Sequence, residues 1–206
     1  MKHRDYVRKE FNKVAGKYDS LTQVHRYQRP IQSEVIQNLE LTENMYVLDL
    51  GCGTGEGTLE IAQRVDRGKV IGVDLSDKMI AVANGKKKPN NVTFECRDVY
   101  SFTKSDYFDH IVTTNAYHHF EDKKQMISHM YGLLKPGGVL TIQDYCTDYF
   151  LMKGVDIGLK ILEKAHVGSS TSAQLTSMLK EAGFEANVMT KKVDWFLGIM
   201  IATGKR

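Results

Sequence analysis

The sequence predicts a doubly wound α/β fold, a seven-stranded and mostly parallel sheet that ends in an antiparallel hairpin. Short apolar runs alternate with amphipathic stretches between residues 45 and 142. One of these runs passes directly into a glycine-rich turn. The last two runs follow each other with no helix between them, so they should pair antiparallel.

Residues 1–28 are polar with scattered aromatics (Tyr6, Phe11, Tyr18, Tyr27) and read as one or two short helices outside the sheet. Residues 30–40 read as a helix: Pro30 suits a first helical position, and Ile31, Val35, Ile36 and Leu39 share a face. The first strand is Met45–Leu50, followed by a helix marked by Leu59, Ala62 and Val65. The second strand is Val70–Val73, and Ser76 caps a helix carrying Met79, Ile80 and Ala83. Val92, Phe94 and Cys96 alternate as a third strand, and Phe108–Thr113 is a fourth. Met126, Ile127, Met130, Leu133 and Leu134 define a helix that Lys135–Gly138 stops before a fifth strand, Val139–Ile142. Leu175, Met178, Leu179 and Ala182 mark the last helix, with Gly183 behind it. Phe184–Thr190 and Trp195–Ala202 form the hairpin. Residues 146–170 break the alternation and read as an insertion over the carboxyl edge of the sheet.

One domain accounts for all 206 residues: a helical lid over 1–40, a core over 41–145, a cap over 146–170, and the terminal helix and hairpin over 171–206. The formal net charge of +3 is too weak for a nucleic-acid surface, and Lys86–Lys88 reads as a solvated helix end. No apolar stretch is long enough to span a membrane, and the N-terminus has no apolar h-region, so a cytoplasmic protein with no membrane partner is expected. Cys52, Cys96 and Cys146 are odd in number and scattered, which opposes both a disulfide framework and a zinc site. No metal site is expected, since His118 and His119 are adjacent and would diverge on a regular element.

Val47–Gly55 reads VLDLGCGTG, a strand feeding a glycine turn at the sheet edge where such folds bind ligands. The dinucleotide spacing fails in either register, because Glu56 or Thr58 stands where its third glycine belongs. Asp49 and Glu56 flank the loop and would repel a pyrophosphate, whereas a ligand with a cationic amino group suits it. Asp74 ends the second strand and can accept two ribose hydroxyls, while Asp98 ends the third and can accept an adenine amino group.

The run Val47–Gly55, Asp74, Asp98, Phe108-Asp109 and Leu133–Gly138, in that order, resembles class I S-adenosylmethionine (SAM)-dependent methyltransferases of the small-molecule, type 11/25-like kind. The resemblance implies a Rossmann-like methyltransferase fold with SAM as cofactor and S-adenosylhomocysteine as product. It implies that Gly51, Gly53 and Gly55 cradle the methionine part and that Asp49 holds the amino group. Asp74 would bind the ribose, and Asp98 and Val99 the adenine. Asn115 would lie near the methionine part, and Cys52, Leu75 and Met79 would complete the cofactor wall. The segment Phe11–Asp19 is similar to the part of quinone-biosynthesis C-methyltransferases that folds over the cofactor, which brings Tyr18 to the site. The likeness to those enzymes stops at His118-His119, where they carry an Arg-Asn-like pair.

Either histidine is a candidate general base, and either can instead pack under its loop. The expected acceptor is a small, partly apolar molecule, from Tyr18, Tyr27, Tyr145, Tyr149, Phe150 and Met152. Ala116-Tyr117 replaces the two prolines typical of DNA amino-methylating enzymes, which opposes nucleic acid as a partner. Two other readings stay open: a nucleotide-dependent oxidoreductase, and a non-catalytic module that binds SAM or a partner.

Overall fold

The computed structural model describes residues 3–162, 165–194 and 197–206. Its sheet has seven strands: β1 (Tyr46–Leu50), β2 (Lys69–Asp74), β3 (Val92–Cys96), β4 (Phe108–Thr114), β5 (Leu134–Tyr145), β6 (Glu185–Lys192) and β7 (Gly198–Lys205). The spatial order is β3-β2-β1-β4-β5-β7-β6. The first five strands run parallel, and β7 is antiparallel to both β5 and β6. The chain reverses direction across the sheet between β1 and β4, which opens the crevice that ligands use in such folds.

The period of two along each strand assigns the two faces. Leu48, Ile111, Leu140 and Ile142 pack with Met126, Ile127 and Met130 of α5 (Lys123–Leu133) and with Leu175 and Leu179 of α7 (Ser172–Glu181). Val47, Val70 and Val112 turn the other way. They meet Val35 and Ile36 of α2 (Arg29–Gln37), Ile61 of α3 (Glu56–Ala62), and Ile80 and Ala83 of α4 (Asp77–Gly85). The N-terminus forms α1 (His3–Val14), then a 3-10 segment over Ala15–Ser20 and a π turn over Val24–Gln28. The cap carries α6 (Phe150–Leu162).

Several expected boundaries move. The helix expected over 30–40 is one turn shorter at its end. Strand β5 starts at Leu134 rather than Val139 because Leu134 pairs with Phe108, and Lys135–Gly138 bulge out between that pair and the next, His110 with Val139. A register shift between Phe108 and His110 on β4 absorbs the extra residues, and Gly137 donates to the Arg206 carbonyl at 2.8 Å. The hairpin strands lie slightly later than expected, at 185–192 and 198–205. Trp195, expected to open the last strand, lies outside the described residues.

Two further expectations are corrected. Lys86 is not solvated, because its ammonium binds Asp19 at 2.7 Å and Glu56 at 2.5 Å. The His118 and His119 rings do not diverge: a 3-10 turn over Tyr117–His119 holds their centroids 4.0 Å apart.

Candidate cofactor and acceptor cleft

A cavity of about 230 Å³ opens at the carboxyl ends of β1, β2 and β4. Its floor is the glycine loop, which the Gly51 and Cys52 amides pin to the Val73 carbonyl at 2.9 and 3.0 Å. Gly51 has φ +74, and a Cβ there would stand 2.5 Å from the Cβ of Ala116. Gly53 has φ +53 and open space where its Cβ would be, so only its left-handed backbone demands glycine. Gly51, Cys52 and Gly53 line the cavity. Gly55 does not: it caps α3 with φ +85 and packs on Phe94.

Asp74 fastens the loops after β1 and β2 to each other. One oxygen accepts from the Gly53 amide at 3.0 Å and the other from the Ser76 amide at 2.8 Å. Burial raises its carboxyl above the ordinary value, against the pull of these amides. A carboxylate has about four acceptor sites, so Asp74, which lines the cavity, keeps lone pairs for a ligand. Asp49 lies beneath the loop, outside the lining. It accepts from the Thr58 hydroxyl at 2.6 Å, and burial pushes its carboxyl up to about 6. Leu75, Met79, Asp98 and Val99 continue the wall. Ser76 caps α4 through the Met79 amide, as its position predicts.

The N-terminal lid is fastened along this wall. Arg4 pairs with Asp98 and stacks 4.7 Å over Tyr100, so a guanidinium holds the carboxylate that the sequence offers to an adenine amino group. Asn12 accepts from the Ser76 hydroxyl at 2.6 Å and donates to Asp77 at 2.8 Å. Asp19 accepts from Arg29, from Lys86 and from the Thr54 hydroxyl. These cations hold the Asp19 carboxyl below its usual range. Glu56 pairs with both Lys86 and Arg29, so it does not present the free negative charge the loop sequence implies.

At the other end stand Tyr18, Gln28, Gln32, Thr114, Asn115 and His119. Tyr18 donates to Gln28 at 3.1 Å, and burial pushes its phenol up to about 12. Gln32 donates to Thr114 at 2.7 Å. Asn115 has φ +55, a left-handed conformation rare outside glycine that concentrates at functional sites. Its amide donates to the Gln143 carbonyl at 3.0 Å.

The two histidines differ electrically. His118 donates its Nδ1 proton to buried Asp144 at 2.7 Å, and its backbone amide donates to the other Asp144 oxygen at 2.8 Å. These contacts hold the Asp144 carboxyl below its usual range despite burial. His119 donates Nδ1–H to the Ala165 carbonyl at 2.7 Å, which leaves Nε2 as the acceptor. Burial, then the neighbouring His118, pulls His119 down to about 3, so it is neutral near pH 7. His119 lines the cavity and His118 lies behind it.

Tyr27, Tyr145, Tyr149 and Met152 do not line the cleft as expected. They form a separate small core with Ile31, Leu197 and Ile199, and Phe150 is 86% exposed. Residues given no role of their own in the sequence reading include Arg4, Asn12, Asp19, Gln28, Gln32 and Asp144. Only Asp144 left a local trace, as a carboxylate inside the apolar run Val139–Tyr145. Among the described residues, no group of three or more His, Cys, Asp or Glu could hold a metal ion.

Residues 41–183 match the family described as a methyltransferase domain. The chain belongs to that family. It is 32% identical over 173 residues to phosphoethanolamine N-methyltransferase 3 of Arabidopsis thaliana, covering 81% of this chain and 34% of that one. It is 25% identical over 151 residues to the malonyl-[acyl-carrier protein] O-methyltransferase of Bacillus anthracis, covering 73% and 56%. The domain thus spans about a third to about half the length of these curated relatives. The fold is similar to that of Burkholderia thailandensis 1,6-didemethyltoxoflavin-N1-methyltransferase, solved with its acceptor and S-adenosylhomocysteine. The TM-score is 0.74 at 18% identity, covering 98% of this chain and 88% of that one.

Proposed function

We propose that this domain transfers a methyl group from SAM to a small, uncharged acceptor. The observation that carries the reading is the cleft floor, where Asp74 ties Gly53 to Ser76 and faces the cavity beside an open glycine. A ribose needs such a carboxylate, and close backbone approach needs such a glycine. Pyrophosphate recognition is not favoured, because Arg29 and Lys86 are already paired with Asp19 and Glu56.

In this reading Gly51 and Gly53 receive the methionine part and Asp74 the ribose. The Val99 amide and Asp98 hold the adenine, with Arg4 yielding or sharing the carboxylate. Bound SAM supplies an activated methyl group. The domain's own residues then position the acceptor, and such orientation is worth about 7–11 kcal/mol of barrier. His119 Nε2 accepts a hydrogen bond from an acceptor N–H or O–H. His119, held neutral, orients the nucleophile through this hydrogen bond, and the Asp144–His118 contacts hold the turn that carries it.

The relatives named above are methyltransferases of phosphoethanolamine and of malonyl-[acyl-carrier protein]. Here the three arginines that line the cavity are paired: Arg4 with Asp98, Arg29 with Asp19 and Glu56, and Arg97 with Glu95. The Gln28, Gln32, Thr114, Asn115 and His119 wall is neutral. That supports an uncharged acceptor over an anionic one.

The test is thermal unfolding with S-adenosylhomocysteine. Ligand at about 100 times its Kd stabilises by ~2.7 kcal/mol, or about 5–10 °C for a chain of this size. Asp74→Asn should lose most of that shift. No shift for the native chain, or one shared with NAD, would sink the reading. Transfer of labelled methyl from SAM into the small-molecule fraction of a cell extract then separates turnover from binding alone.

A further inference from the structure

Residues 165–169 follow α6 without helix or strand and lead to Ser170, which bridges to Cys146 just beyond β5. They form a strap across the turn that carries the two histidines. The Val167 and Gly168 amides donate to the His118 carbonyl at 3.1 and 3.3 Å, and the Thr147 amide donates to the Ser170 carbonyl at 3.1 Å. The Ala165 carbonyl accepts from His119 Nδ1 at 2.7 Å. A carbonyl can only accept, so this contact needs the proton on Nδ1 and leaves Nε2 bare.

The strap hangs on one side chain. Asp156, the one acid of α6, is 4% exposed. Its Oδ1 accepts from His166 Nε2 at 2.8 Å and from the Ser169 amide at 2.6 Å, and its Oδ2 meets the Lys160 ammonium at 2.7 Å. A buried carboxylate is costly unless donors meet it, and two of these three donors belong to the strap. They bracket Val167 and Gly168, the residues whose amides hold the His118 turn. Gly168 has φ +132, a conformation that favours glycine. Neither Asp156 nor the strap lines the cavity.

We propose that Asp156 is a positioning residue: through residues 165–169 it holds His119 in the tautomer that presents a bare Nε2 to the cleft. Released from the strap, a neutral imidazole carries its proton on either nitrogen. An N–H facing the cleft would suit a group with only lone pairs to offer, so the strap selects an acceptor that arrives with its own N–H or O–H. That consequence rests on the methyl-transfer reading; the tautomer does not.

Nitrogen-15 NMR of the histidine rings of the whole chain at pH 7 tests it, with His119→Gln to assign the ring. Native His119 should carry its proton on Nδ1, with Nε2 bare. Asp156→Ala should shift the His119 signals to a mixture of both tautomers. Asp156→Asn, whose side-chain oxygen can still accept from His166 and Ser169, should restore the native form. Gly168→Ala strains the strap without touching the carboxylate and should give the mixture too, which decides the matter if Asp156→Ala does not fold. The thermal shift with S-adenosylhomocysteine should survive in all three variants, because the cavity floor is untouched. A native His119 protonated on Nε2 overturns the proposal. So does a native tautomer kept by folded Asp156→Ala or, failing that, by Gly168→Ala, and so does loss of the S-adenosylhomocysteine shift in a folded Asp156→Ala, which would make Asp156 a support of the whole cleft. Failure of the methyl-transfer reading looks different: the native chain then shows the expected tautomer and no shift with S-adenosylhomocysteine.

Discussion

The two ends of the cleft are built from different material. At the proposed cofactor end, backbone does the shaping: Gly51 and Gly53 hold left-handed conformations, and amides from Gly53 and Ser76 meet one carboxylate. At the proposed acceptor end, side chains from distant parts of the sequence meet: Gln28 with Tyr18 and Tyr145, Gln32 with Thr114, His118 with Asp144. Local backbone shape is written in short sequence runs. Pairing between remote side chains is not. The cofactor end should therefore fail by losing ligand, and the acceptor end by losing structure.

The largest effect should come from His118→Ala, which leaves Asp144 as an uncompensated buried charge. Breaking one side of such a pair costs about 3–5 kcal/mol. Chemical denaturation of the single variants and of the double variant with Asp144→Asn checks this. The double variant should recover part of the loss, because the orphaned charge is gone. Equal destabilisation of all three would mean that Asp144 is protonated in the native protein.

Acid sharpens the same contrast. Burial pulls His119 down to about 3 and His110 to about 4, both at the β4 side of the sheet. The unfolded chain takes up protons on both below about pH 6.5, so stability falls as pH drops. Asp49 at the cofactor end acts in reverse: raised to about 6, it binds its proton more readily when folded and stabilises between about pH 6 and 4. The two histidines outweigh Asp49, and these three groups together cost about 2–3 kcal/mol from pH 7 to pH 5. Urea midpoints at the two pH values measure it. His119→Phe should flatten the dependence, and Asp49→Asn should steepen it.

This division also explains what the sequence shows and what it hides. The strand–glycine–helix run at 47–58, Asp74 behind its strand and Ser76 as a cap are contiguous patterns, and each stands where its pattern implies. The seven strands and the antiparallel hairpin follow from periodicity, with β5 extended by the Leu134–Phe108 pair that lies beyond a bulge over Lys135–Gly138. Lys86 read as solvated because nothing near it in sequence is acidic; its partners Asp19 and Glu56 lie 67 and 30 residues away. Of the aromatic residues expected at the acceptor site, Tyr27, Tyr145 and Tyr149 serve a core beside the cleft. Composition gives their burial, and only the tertiary path of the chain decides which side of a wall they face.

Gly51→Ala tests whether backbone shape really governs the cofactor end. The left-handed conformation costs an alanine about 1–2 kcal/mol, and the new methyl would meet Ala116 at 2.5 Å. Thermal unfolding should show a loss of about 1–3 kcal/mol and little remaining shift with S-adenosylhomocysteine. A variant that unfolds early yet keeps the full shift would mean that ligand does not approach this backbone.

The smallest effect on stability should come from the lid, where the two ends meet. Asp19 is 36% exposed and joins Arg29, Lys86 and the Thr54 hydroxyl of the glycine loop. Partly exposed ion pairs contribute about 0–1 kcal/mol, so Asp19→Ala should barely move the unfolding midpoint. Its effect on ligand should be larger, because the same contacts hold Tyr18 and α1 over the cavity. Several-fold weaker binding of S-adenosylhomocysteine is expected by calorimetric titration. Salt separates this from a lost direct contact: the native affinity should fall as ionic strength screens the lid's pairs, while the Asp19→Ala affinity, already without them, should change little. If the variant instead loses as much affinity as Asp74→Asn and keeps the native salt dependence, Asp19 belongs to the cofactor floor and the boundary between the two ends lies on the lid side of Thr54.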